Sequence, residues 1–130
     1  MLFLLPVLLS TVASAGAKVN SEVGVSLLPP PNYASAWGSI ATAQASPDSM
    51  QSIGCRIAVN TTSGTAVRSL SCSARTSTGV TGSCYMNNPP QAIVDLITSL
   101  RDTDILAFYW NQSTSTCMEV NVERTSTVSR

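Results

Sequence analysis

The stretch from Gln51 to Arg75 reads Q-S-I-G-C-R-I-A-V-N, then T-T-S-G-T, then A-V-R-S-L-S-C-S-A-R. Ile53, Cys55, Ile57 and Val59 recur at strict period two, and side chains on a strand alternate between faces. The spacing therefore predicts a strand over 51–60 with these four residues on one side. Thr61-Thr62-Ser63-Gly64 is turn-forming by composition, and Leu70, Cys72 and Ala74 then resume the alternation over 66–75. Two such runs about a short turn predict a hairpin. Folding the chain back near Ser63 sets Cys55 almost opposite Cys72, both on the inward faces.

Working outward, Thr76-Ser77-Thr78-Gly79 is a second turn, and 80–86 forms a third strand carrying Cys84. The period then changes. After Asn87-Asn88-Pro89-Pro90, the residues Ile93, Leu96, Ile97 and Leu100 recur at the three-and-four spacing of one helical face. This predicts a helix from Pro89 to Arg101, with Asn88 as N-cap and Pro89 at the first position, where a missing N–H costs nothing. An apolar, aromatic strand over 104–111 turns at Gln112-Ser113-Thr114-Ser115, and Met118, Val120 and Val122 give the last strand its inner face. Toward the N-terminus, 33–43 reads as a strand ending at Ala45-Ser46-Pro47-Asp48-Ser49. Before it, Val23, Val25, Leu27 and Leu28 permit a short edge strand, docked or loose, ahead of the extended Pro29-Pro30-Pro31 run.

The first residues form a short apolar run followed by small residues, with Ala13 and Ala15 at the positions a signal peptidase reads. No Lys or Arg precedes the run, a departure from the usual leader. The expected organisation is a signal peptide over 1–15, an extended Pro-rich segment over 16–32, a compact domain over 33–123, and a frayed tail over 124–130. Cys55, Cys72, Cys84 and Cys117 all fall after the leader, and an even count in an exported chain predicts two disulfides. Their C-x16-C, C-x11-C and C-x32-C spacings contain no close pair of the kind a structural zinc site uses. Cys55–Cys72 with Cys84–Cys117 ranks first, because Cys117 has opposite parity to Met118, Val120 and Val122 and suits a partner in the irregular run before the helix. Cys72–Cys84 with Cys55–Cys117 stays open. The fold class expected is α+β, a mainly antiparallel β-sheet with one helix packed on it and two disulfides.

Composition narrows the chemistry. Seven Lys and Arg balance seven Asp and Glu, and histidine is absent. Clustered cations for phosphate binding are missing, so no nucleic-acid partner is expected. Histidine relays and His-containing zinc sites are excluded, Lys18 is the sole lysine, no G-x-S-x-G elbow is present, and no cofactor is expected. One acidic cluster, Asp102 and Asp104 near Asp95 and Arg101, is the candidate for carboxylate chemistry. Trp37, Tyr109 and Trp110 are the candidate binding surface, since the polar tips of Tyr and Trp suit recognition. Alternation puts Phe108 and Trp110 on one side and Tyr109 on the other. Serine and threonine make up about a quarter of the chain, and Asn60-Thr61-Thr62 and Asn111-Gln112-Ser113 match glycosylation sequons at the frequency chance predicts.

The runs S-P-D-S-M-Q-S-I-G-C-R-I, S-L-S-C-S-A-R-T-S-T-G and F-Y-W-N-Q-S-T-S-T-C-M-E-V resemble a group of small secreted bacterial proteins with four cysteines in this order. The likeness spans about residues 33 to 123 and implies a two-bridge exported domain with no active site to transfer. The function expected is an exported, non-enzymatic binding domain, secreted to an extracellular or periplasmic space, with a protein or glycan partner and no transmembrane segment after leader cleavage. A structural or envelope-associated protein is the alternative, and a hydrolase using Asp102 and Asp104 the second alternative.

Overall fold

The computed structural model describes residues 22–27 and 33–124. The expected leader, the proline run and the tail beyond Arg124 lie outside the described residues. Seven strands and two helices follow one another: β1 (Gly24–Leu27), β2 (Tyr33–Ser39), α1 (Ile40–Gln44), β3 (Ser52–Asn60), β4 (Val67–Arg75), β5 (Thr81–Asn87), α2 (Gln91–Thr98), β6 (Ile105–Asn111) and β7 (Thr116–Glu123). They form one sheet in the order β1-β2-β6-β7-β5-β4-β3. Every pairing is antiparallel except that of β5 with β7, a single parallel position at Tyr85 and Thr116.

The β3–β4 hairpin has the expected register, with Cys55 directly opposite Cys72. Leu70, Cys72 and Ala74 are buried on its inner face. Val59 shares that parity but is exposed, near the end of β3, the edge strand of the sheet. Both turns use a glycine at positive φ, Gly64 and Gly79. Asn60 and Asn111, the sequon asparagines, fold back on their own turns: each Oδ1 accepts the backbone N–H and the hydroxyl of the residue two further on.

The sheet rolls so that β1 approaches β4 across the interior. Leu70, Leu106, Phe108 and Ala36 are fully buried there, with Ile97 of α2 and Ala43 of α1 added from the helices. Trp110 and Val25 both reach the inner side of Gly82 on β5, where a Cβ would sit 2.5 Å from Trp110 Cη2. The two disulfides are Cys55–Cys72 and Cys84–Cys117. They stand in one row: Cys72 is opposite Cys55 on one side and Cys84 on the other.

Four expectations are corrected. The stretch over 33–43 is not all strand. Ser39 Oγ accepts the Thr42 N–H at 3.3 Å and starts α1, so a second helix stands where alternation among small residues had read as strand. The main helix begins after Pro90 and has no side-chain cap. Asn88, at φ 47°, lacks the extended backbone of a cap, and Pro90 disfavours helical backbone at Pro89, so the helix starts later. Arg68 holds that end instead, donating to Gln91 Oε1 at 2.7 Å and to the Pro89 carbonyl at 3.0 Å.

The third correction concerns β7. Tyr109 pairs with Glu119 but Trp110 pairs with Cys117, so Met118 is an extra residue in a β-bulge. The bulge reverses parity: Met118 is exposed, while Cys117 turns inward with Val120 and meets Cys84. The bridge ranked first is present, although Cys117 does not point away from the core as expected. The fourth correction concerns the boundaries. Of the two arrangements left open for the segment before the prolines, the docked strand is present, β1 on β2, and Arg124, expected in a frayed tail, is held by Asp104.

Candidate functional site

Strand parity sorts the aromatics. On β2 and β6, Ala34, Ala36, Phe108 and Trp110 face inward, whereas Tyr33, Ser35, Trp37, Ala107 and Tyr109 face outward. Trp110 is only 4% exposed and stacks at a tilt on Phe108 with ring centroids 5.4 Å apart, so it is removed from the candidate surface. Trp37 and Tyr109 remain on it, 40% and 42% exposed. Tyr33 and Tyr85, at 47% and 48%, join them on the outer face. Of the six described aromatic residues, four therefore stand exposed on the outer side of the sheet.

The cross-strand register fixes their arrangement. Tyr109 lies opposite Ser35, midway between Tyr33 and Trp37 on the neighbouring strand, so it is a diagonal neighbour of both. Small residues surround the rings: Trp37 is flanked by Ala107 and Gly24, and Ser26 adjoins Ser35. The indole lies over Gly24, where an added Cβ would come 2.2 Å from Trp37 Cζ2. Glycine here permits the ring to lie down along the sheet. A further row continues from Tyr33 through Asn111 and Thr116 to Tyr85, and then to Ser71 and Arg56 on β4 and β3. Five inter-strand steps of ~4.8 Å make this row about 24 Å long.

The edge under Trp37 is held from the other end of the sheet. Asp48 accepts the Met50 and Gln51 N–H groups at 2.8 and 3.0 Å, together with the Ser46 hydroxyl and the Gln51 side-chain amide. Those hydrogen bonds, led by the Ser46 hydroxyl, hold its carboxyl far below the usual carboxylate range. Gln51, thus oriented, accepts the Val23 N–H at 3.0 Å, one residue before Gly24. The turn sequence Ser46-Pro47-Asp48 thereby reaches the aromatic face through β1.

Asp102 and Asp104 do not converge. Asp102 is exposed, and its carbonyl accepts the Ala41 N–H at 2.8 Å. Asp104 is buried just ahead of β6, where its Oδ2 accepts the Arg124 Nε–H and the Arg101 N–H, both at 2.8 Å. Burial by itself raises its proton affinity. The hydrogen bonds from Arg124 and Arg101 and the charges of both outweigh it, so the carboxyl stays below its ordinary range. A general acid needs the opposite shift. Asp104 ties the start of β6 to the residue that follows β7, and its carboxylate is occupied in doing so.

Trp37 and Tyr109 were legible from sequence. Tyr33 was missed as a site residue, although its spacing of four from Trp37 on one strand puts both on one face. Tyr85 had no local signal, since its face depends on where β5 joins the sheet. Against protein-family models, curated proteins and solved structures, the chain has no match.

Proposed function

We infer that this is an exported carbohydrate-binding domain whose outer sheet face takes an extended glycan. One observation carries the reading: Tyr33, Trp37, Tyr85 and Tyr109 stand exposed on the same face, while the remaining described aromatics fill the core. Exposed rings with polar tips, set among Ser, Thr and Asn, stack on the apolar faces of sugar rings and hydrogen-bond their hydroxyls. Such a surface acts by shape and stacking and needs neither histidine nor a cofactor. Export is supported by the two disulfides, by the leader-like first residues, and by the lack of any helix long and apolar enough to cross a membrane among the described residues.

The test is a soluble oligosaccharide panel, followed by calorimetric titration of any ligand with the wild type and with Trp37→Ala and Tyr109→Ala. Each substitution is expected to weaken binding about tenfold, the loss of roughly one stacking contact of about 1.4 kcal/mol, with unfolding unchanged. Equal affinity in all three proteins would overturn the assignment. Self-association as the sole activity would favour the envelope-associated alternative.

A further inference from the structure

The far end of the long outer row opens into a depression of about 530 Å³ on β3, β4 and β5. Two cross-strand rows floor it, Arg56–Ser71–Tyr85 and Gly54–Ser73–Ser83. Gly54 lies on its floor and leaves the volume above it clear. Gly54 lies in ordinary strand backbone, and an added Cβ there would meet nothing within 4 Å. Neither a turn nor a close packing contact requires the glycine, and glycine weakens a strand interior. What its missing side chain provides is open volume beside Arg56.

The chemistry around that volume is specific. Among the described residues, Arg56 makes no ion pair or hydrogen bond through its side chain, and the hydroxyls of Ser71, Ser73 and Ser83 have no partner. Tyr85 offers an exposed ring at the inner margin. Charge is distributed unevenly over the outer face. Arg56 and Arg75 are the charged residues on the outward positions of β3, β4 and β5, and Glu119 and Glu123 are those on β6 and β7. A guanidinium presents a planar fork of donors suited to an oxyanion, the serines suit sugar hydroxyls, and the tyrosine ring suits a sugar face.

We propose that this depression is a subsite for an acidic sugar, with Arg56 binding its carboxylate or sulfate and Tyr85 stacking on the ring. The inference rests on the carbohydrate reading above and adds a charge requirement and a direction. The acidic unit sits at Arg56, and the chain runs through Tyr85 toward Tyr33 and Tyr109, where Glu119 disfavours a second anion.

Two matched pairs of probes test it on the oxidised protein: polygalacturonate oligomers against their methyl esters, and a sulfated galactan against its desulfated form. Within each pair the neutral member keeps the sugar backbone and lacks the anionic charge, and the two pairs distinguish carboxylate from sulfate. The wild type is expected to bind at least one acidic member tenfold or more tighter than its neutral counterpart, with a preference that shrinks as salt rises. Arg56→Gln is expected to abolish the preference and leave neutral binding unchanged. Gly54→Val, which the open backbone position accommodates, is expected to block the acidic member while the protein unfolds no earlier. Trp37→Ala is expected to weaken both members alike. If neutral and acidic members bind equally and Arg56→Gln changes nothing, the subsite is overturned while the carbohydrate reading stands. If no probe binds, both fall. If Arg56→Gln matters and Trp37→Ala does not, the subsite stands and the aromatic face is not the platform.

Discussion

The inner and outer faces of β2 and β6 each carry a tryptophan seated on a glycine of another strand, and the two seats have opposite meanings. Inside, Trp110 lies against Gly82 with Phe108 at its side and water excluded. Outside, Trp37 lies over Gly24 with solvent on its free surface. The chemistry and the close approach are the same in both places. What differs is whether the surroundings can relax, so one ring contributes to stability and the other is available to a ligand.

Substitution can break that comparison. The largest effect belongs to the inner ring: Trp110→Ala is expected to cost about 3–5 kcal/mol in chemical denaturation, the ordinary range for a core aromatic. A cost below about 1 kcal/mol would mean that the ring is not enclosed. Next comes the seam at which the two halves of the sheet meet. β5 and β7 share a single paired position, and Cys84–Cys117, 33 residues apart, spans the junction. Replacing both with Ser is expected to cost roughly 3–4 kcal/mol by loop closure and to separate the aromatic half from the Arg56 half. Amide exchange rising first in β5 and β7 would verify this, and uniform exchange would refute it.

The glycine seats sharpen the contrast. Gly82→Ala drives a methyl into an enclosed ring and is expected to cost about 1–3 kcal/mol. Gly24→Ala meets an equally close ring that can swing into solvent, so stability should stay within about 0.5 kcal/mol while Trp37 fluorescence and glycan affinity change. Equal costs at the two sites would erase the distinction between the faces.

The buried Asp104 ties the start of β6 to Arg124 beyond the end of β7. Its carboxyl is held below the ordinary value, so its contribution is fully present above about pH 4 and is lost as pH falls through the folded-state value. Thermal melts are expected to show this acid limb in the wild type and a shallower one in Asp104→Asn. Limbs of the same shape would exclude Asp104 as its source, leaving Asp48, whose carboxyl is also depressed.

How far the sequence could be read follows from the range of each interaction. The β3–β4 hairpin was legible because period-two alternation and a turn are local, and the opposition of Cys55 and Cys72 follows from them. The pairing was not fully legible, because Cys72 stands opposite Cys84 as well. The partner that decides it, Cys117, arrives only when β7 lies beside β5. The α2 face was legible from Ile93, Leu96, Ile97 and Leu100, all packed on the core, while its start was not, because two consecutive prolines move it past Asn88 to Gln91.

The sequence by itself determined the alternating strands, the turns, the helix face and the inward parity of most core residues, since each depends on neighbours a few positions away. Only the tertiary structure decided which tryptophan is enclosed, that Met118 bulges out and turns Cys117 inward, that Asp104 is consumed by Arg124, and that Tyr33, Tyr109 and Tyr85 share a face with Arg56. Those outcomes depend on strand order and register, and these are set by burial and pairing between segments far apart in the chain.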